Sequence, residues 1–152
     1  MKIKFLSDKA QMPTRADKGA AGFDLYVPQD TIIKPGRNIV QLDFAIELDH
    51  SHEAQIRPRS GFSAKGMEGF SLEDNSCNRY DADVILGTID QTYRGNVGVI
   101  IKSYENQPFL IKAGTRIAQM VISECFLGEL ETVAELSDTD RGDGGFGHTG
   151  TR

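Results

Sequence analysis

Tryptophan is absent, cysteine occurs only twice, and no apolar run is long enough to cross a bilayer; each shortage removes a class of protein. Apolar stretches such as 97–101 and 120–122 fall far short of the roughly 20 residues a spanning helix needs. Cys77 and Cys125 stand far apart with no second pair, so neither a disulfide framework nor a zinc cage is indicated, and both read as free thiols. The opening Met1-Lys2-Ile3-Lys4-Phe5 lacks the apolar core of a secretory signal, which sets a cytoplasmic location as the expectation. Basic residues are also in deficit. Lys and Arg number 17 against 22 Asp and Glu, a formal net charge of −5 that argues against binding along a nucleic-acid backbone. A small phosphate-bearing ligand stays open, because a few arginines and backbone N–H groups suffice for it. What is present, 152 residues at 39% hydrophobic content with eight Phe and four Tyr, fits the core of one compact domain.

The apolar pattern has mostly a period of two. Thr31-Ile32-Ile33-Lys34 and Arg37-Asn38-Ile39-Val40-Gln41-Leu42 flank Pro35-Gly36 and predict a hairpin. Residues 44–48 and 53–57 predict a second strand pair around a polar turn at 49–52, and 84–90, 97–104, 108–112 and 116–123 predict four further strands. Helix is expected only at 61–66 and in parts of 127–136. Short strands at this spacing predict an all-β sandwich, barrel or jelly roll. Two segments break the pattern. Residues 67–83 are polar and irregular, with Glu68, Glu73, Asp74, Asp81 and Asp83 against a lone Arg79, and read as a long loop inserted between strands. The tail, 127–152, is first acidic and then rich in glycine, and reads as an arm appended to a barrel that spans 1–126.

Five fragments are candidates for chemistry. The tail string Arg141-Gly142-Asp143-Gly144-Gly145-Phe146-Gly147-His148-Thr149-Gly150 carries five glycines that let backbone N–H groups converge on a phosphate. It approximates a nucleotide-triphosphatase phosphate loop with His148 in the lysine position, but that loop needs a strand before it and a helix after it. Arg141 adds a bidentate donor, and Phe146 can lie over a base. In Arg57-Pro58-Arg59-Ser60-Gly61, Arg59 and Ser60 sit at the entry of a short helix, where free N–H groups attract anions and an ordinary surface N-cap would read the same. In Gly87-Thr88-Ile89-Asp90-Gln91-Thr92-Tyr93-Arg94-Gly95, an inward Ile89 turns Asp90 outward at a strand end, where a carboxylate can deprotonate a water; an Asp that merely starts a turn fits the fragment equally. Ala21-Gly22-Phe23-Asp24-Leu25 puts Asp24 on a strand between Phe23 and Leu25, and Gly114-Thr115-Arg116-Ile117-Ala118-Gln119-Met120 puts Gln119 between Ala118 and Met120; a solvated polar face would read the same in each. His50 and His52 in a polar turn have no third ligand beside them and are set aside as a metal site.

In chain order these five fragments resemble the five motifs of the trimeric dUTPases, across nearly the whole chain. The resemblance implies a jelly-roll-like barrel, a homotrimer with three shared active sites and exchanged C-terminal arms, and dUTP diphosphatase activity, dUTP plus water giving dUMP and pyrophosphate. It implies that Asp90 activates the attacking water and holds the deoxyribose 3′-hydroxyl, and that Tyr93 stacks on the sugar and excludes a 2′-hydroxyl. It further assigns Arg59, Ser60, Gly61 and Gln119 to the phosphates and Arg141 to the γ-phosphate. Phe146 would cover the uracil, with Gly147, His148 and Thr149 beside the substrate. Magnesium is the implied cofactor, reached by Asp24 through water, since Mg²⁺ keeps several waters and is held mainly by substrate phosphates.

Three positions depart from the family pattern. His148 stands where many members have Ser, and Val84 stands where some have an Asn that reads uracil. Uracil recognition then falls to main-chain groups around Ile85, Gly87, Thr88 and Ile89. The spacing from Ser60 to Asp90 exceeds the family's usual spacing, with the excess in 67–83, a candidate surface for a protein partner. Partners otherwise implied are the substrate and two further copies of the chain, with no nucleic acid and no membrane; the location is the host cytoplasm if the source is a virus or phage. The alternatives are a dCTP deaminase-like enzyme, whose pattern carries a Glu near the base, and a regulatory binding protein on the same fold.

Overall fold

The computed structural model describes residues 1–145; the expectations for Phe146, Gly147, His148 and Thr149 lie outside the described residues. The elements are β1 (Lys2–Phe5), β2 (Gly22–Tyr26), β3 (Thr31–Ile33), β4 (Gly36–Gln41), β5 (Phe44–Glu47), β6 (His52–Arg57), α1 (Ser60–Lys65), β7 (Met67–Ser71), β8 (Cys77–Tyr80), β9 (Ala82–Ile85), β10 (Gly87–Ile89), β11 (Gly98–Ser103), β12 (Phe109–Ile111) and β13 (Arg116–Glu124). They form four antiparallel sheets, ordered β1-β5, β10-β6-β13-β2, β4-β11-β9 and β3-β12-β7-β8. The all-β expectation holds. Inward residues of these sheets, among them Leu25, Phe44, Ile56, Ile101, Phe109 and Met120, close into one hydrophobic core. In β11 the alternation is complete: Val99, Ile101 and Ser103 face in, while Gly98, Ile100 and Lys102 are half-buried.

Strand pairing departs from the sequence expectation at both predicted hairpins. Gly36 takes a left-handed φ of +83° as a turn residue should, yet β3 pairs with β12 and β4 with β11. The Asn38 side chain explains the separation. Its Oδ1 accepts from the Lys34 amide at 2.9 Å and its Nδ2 donates to the Lys34 carbonyl at 2.8 Å, which satisfies the backbone where a hairpin partner would have done so. Likewise β5 pairs with β1, whose Lys2 reaches Glu47 at 2.6 Å, while β6 lies between β10 and β13. The predicted strand at 84–90 is two strands in different sheets, broken at Leu86, which is 71% exposed.

The segment 67–83 is a correction of another kind. It is not an irregular loop: β7 and β8 form a hairpin inside the sheet of β3 and β12, and β9 continues it against β11. Met67 and Ala82 are buried, and the Tyr80 ring stacks on Phe109 with centroids 4.1 Å apart and planes within 2°. A Cβ at Gly69 would lie 2.6 Å from Phe109 Cδ2, so the close approach of β7 to β12 requires glycine there. Residues 127–136 are neither helix nor strand and are exposed, with Leu130 and Leu136 nearly bare.

Candidate active site

The chain crosses from β9 to β10 at Leu86, and this switch between sheets opens a crevice of about 200 Å³. One wall is Ile56 with Gly87, Thr88 and Ile89; the other is Ile85 with Gly98 and Ile100. Ile89 is buried, so the next side chain, Asp90, turns outward at the mouth of the crevice. A tight turn follows: the Tyr93 amide donates to the Asp90 carbonyl at 3.0 Å, and Arg94 Nη1 donates to the carbonyls of Gln91 at 2.6 Å and Tyr93 at 2.9 Å. Tyr93 Oη donates to the Asn96 carbonyl at 3.1 Å, which folds the ring back over Gly95. A Cβ at Gly95 would collide with that ring, so the glycine is what lets the tyrosine lie across the crevice edge. Val84 points into the core and offers the crevice no side chain.

A second constellation is built at the other edge of the same sheet. Asp24 on β2 is 9% exposed, and its two oxygens are each taken by an arginine: Arg59 Nε at 2.8 Å and Arg116 Nη1 at 3.2 Å. Gln119 lies opposite Asp24 in register and donates to the Pro58 carbonyl at 2.9 Å; Gly22 leaves it room, since a Cβ there would strike the amide. Arg59, with extended backbone (φ −85°, ψ 144°), occupies the N-cap of α1, and Ser60 is the first residue of the helix. The helix has no side-chain cap, so the first-turn N–H groups at Ser60 and Gly61 are open to a ligand. Next to them lies a bowl of about 500 Å³ walled by α1, the start of β7, Arg79 of β8 and the turn before β13.

Crevice and phosphate-type patch do not meet within one chain. Asp24 is level with Gln119 and Arg57, whereas Ile89 is level with Ala54, three residues further along β6. Three strand spacings across the sheet and four residues along it put Asp90 and Asp24 about 20 Å apart. Arg141 lines neither cavity; its Nε donates to the Gly144 carbonyl at 2.9 Å within its own turn. Two participants escape sequence reading: Arg116, the second partner of Asp24, and Asn96, whose carbonyl anchors Tyr93. Arg116 lies within a fragment already singled out, but its pairing exists only once β13 is laid against β2.

No group of three His, Cys, Asp or Glu side chains gathers to hold a metal among the described residues. The lone buried carboxylate of Asp24, already bonded to two cations, fits an outer-shell contact to a hydrated Mg²⁺ carried by substrate phosphates, not a protein-built cage.

The sequence model of the dUTPase family matches residues 8–72 and 75–150. The chain belongs to the dUTPase family. It is 43% identical over 151 residues to the deoxyuridine 5′-triphosphate nucleotidohydrolase of Nautilia profundicola, covering 99% of this chain and 98% of that one. Against the human mitochondrial enzyme of the same name it is 40% identical over 153 residues, which is 99% of this chain and 55% of that one. Among solved structures, the dUTPase of Staphylococcus bacteriophage 80alpha in a mutant form with dUpNHpp superposes with a TM-score of 0.82 at 26% identity, covering 98% and 97% of the two chains. The family fold is therefore the one described above, and the family model breaks only at residues 73 and 74, in the connection between β7 and β8.

Proposed function

We propose that the protein hydrolyses dUTP to dUMP and pyrophosphate, with the uracil and deoxyribose in the crevice at the β9–β10 switch. The observation that carries this reading is the turn following β10. It sets a carboxylate at the mouth of a nucleoside-sized crevice and clamps a tyrosine ring beside it through Gly95 and the Asn96 carbonyl. In this reading Asp90 orients a water toward the α-phosphorus and takes its proton. The water oxygen bonds to phosphorus as the bond to the bridging oxygen breaks, and pyrophosphate leaves with that electron pair. Arg59, Gln119 and the open N–H groups of Ser60 and Gly61 neutralise the charge that develops there. Magnesium, when bound to the triphosphate, supplies further charge neutralisation, and Asp24 would meet it through water. Uracil is read by main-chain groups of residues 85–88, a role that suits a crevice to which Val84 contributes no side chain. Tyr93 excludes a 2′-hydroxyl by filling its space, the kind of discrimination an apolar pocket alone achieves poorly.

We further infer a homotrimer whose sites are shared. A separation of about 20 Å between Asp90 and Asp24 is too long for one triphosphate to bridge, so Asp90 of one copy must work with Arg59 and Gln119 of another. Arg141, Phe146, Gly147, His148 and Thr149 belong to the arm, which closes over the substrate. The test is a product assay on dUTP, UTP, dCTP and dTTP with magnesium. Pyrophosphate release confined to dUTP is the expected result; ammonia released from dCTP, or no pyrophosphate from dUTP, would overturn the reading.

A further inference from the structure

β10 is a three-residue edge strand whose ladder to β6 ends at the Ile89–Ala54 pair, so Asp90 is the first residue beyond the sheet. Beside the crevice, the same turn borders a second hollow of about 390 Å³, walled within the chain by His52, Glu53, Cys125 and Phe126. Packing therefore does not fix the turn on that side. Hydrogen bonds of Tyr93 and Arg94 close back within residues 90–96 and set the shape of the turn, not its place on the barrel. Among the described residues, the one side-chain hydrogen bond that ties residues 90–95 to another element belongs to Gln91, whose Oε1 accepts from the Ser51 amide at 3.0 Å. Ser51 is itself firmly held. It lies in the turn before β6 with a left-handed φ of +59°, a backbone state that serine keeps only where its surroundings impose it. Its carbonyl accepts from the Cys125 amide at 2.8 Å, directly after β13, and its Oγ shares a hydrogen bond with His50 Nδ1 at 2.8 Å. The bonds thus run from β13, an inner strand of the sheet, through Ser51 and Gln91 to the residue next to Asp90.

We propose that Gln91 is a positioning residue for Asp90: by accepting the Ser51 N–H it holds the start of the turn at one place on the barrel, and so aims the carboxylate. The role rests on the dUTP-hydrolysis reading, in which Asp90 must meet a water in line with the α-phosphorus. A displacement of about 1 Å in such a group can cost about 10²-fold in rate. A neutral amide suits the task, because it takes the N–H without placing a second negative charge beside the base. Gln91 touches no reacting atom; it acts through the residue it precedes in space and follows in sequence.

Steady-state kinetics on dUTP and amide exchange at Ser51, both on the full chain, test it. Gln91→Met keeps the length of the side chain and removes the acceptor. Its kcat should fall about ten- to a hundredfold while KM stays within about threefold, since base and sugar contacts lie elsewhere. Gln91→Glu, assayed at pH 8 where its carboxylate is ionised and accepts the same N–H, should stay within about threefold of wild type. The Ser51 amide should exchange faster in Gln91→Met and at the wild-type rate in Gln91→Glu. In an Asp90→Asn background, Gln91→Met should lower the residual kcat by less than about twofold, because there is no longer a base to aim. A Gln91→Met variant with wild-type kcat, or with unchanged Ser51 exchange, would overturn the proposal. So would the same fold-loss with and without Asp90, or equal losses in the Met and Glu variants, because general loosening of the turn would then suffice. A wild type that left dUTP intact would overturn the hydrolysis reading and this role with it, whereas an active wild type beside an equally active Gln91→Met overturns the role of Gln91 alone.

Discussion

Asp90 has no side-chain hydrogen bond among the described residues and sits at the crevice mouth, free to take a water. Asp90→Asn keeps shape and hydrogen-bonding capacity but removes the base, so kcat for dUTP should fall about 10²–10⁴-fold while nucleotide binding persists. Near-normal turnover would take Asp90 out of the mechanism. Tyr93→Ala opens the edge of the crevice, and the ratio of kcat/KM for dUTP over UTP should drop by at least about tenfold; an unchanged ratio removes the steric gate. Asp90, Tyr93, Asp24 and Gln119 were named from the sequence because their short strings resemble the family's motifs; alternation alone left Asp90 open between a strand-end base and the start of a turn. Arg116 and Asn96 were not. The first acts through a pairing across β2 and β13, and the second through its backbone carbonyl, which any residue would possess.

At the scale of elements, the hairpin β7–β8 is where sequence and structure disagree most. Its polar surface residues, Glu68, Asn78 and Arg79, mask an inward row in which Met67 and Gly69 are buried. The two expected hairpins failed for a related reason: pairing is decided by partners far along the chain and by single side chains such as Asn38, neither of which periodicity records. A deletion of 67–83 should therefore not leave a folded enzyme. It removes Met67, for which truncation alone costs about 2–5 kcal/mol, and the Tyr80–Phe109 stack besides. Thermal melting should show loss of the cooperative transition, whereas shortening only the connection at 72–76 should leave the midpoint within a few degrees. That connection has its own pH signature. Hydrogen bonds from the Ser76 hydroxyl at 2.7 Å and amide at 3.0 Å favour the Asp74 carboxylate and hold its pKa down, to about 2. A lowered folded-state pKa stabilises the ionised turn above the ordinary value of 3.8 and loses that support as pH falls toward about 2. Amide exchange at Ser76 should accelerate across that window in wild type and not in Asp74→Asn, after correction for intrinsic rates.

For the whole molecule, the decisive feature is a distance set by strand order. β10 and β2 are opposite edges of one sheet, and their register offsets Asp90 from Asp24 along the strands as well as across them. In the reading proposed above, one chain therefore holds both halves of a site that only two chains can bring together. The measurement that tests this most directly mixes two inactive variants, Asp90→Asn and Arg59→Gln, unfolds and refolds them together, and assays dUTP hydrolysis. If Asp90 and Arg59 of a site come from different copies, about a quarter of sites in randomly mixed trimers carry both intact residues, and activity should return to about that fraction of wild type. If both residues of a site came from one copy, every site would keep one defect. Mixed trimers, verified as such by mass, that remained inactive would contradict the account.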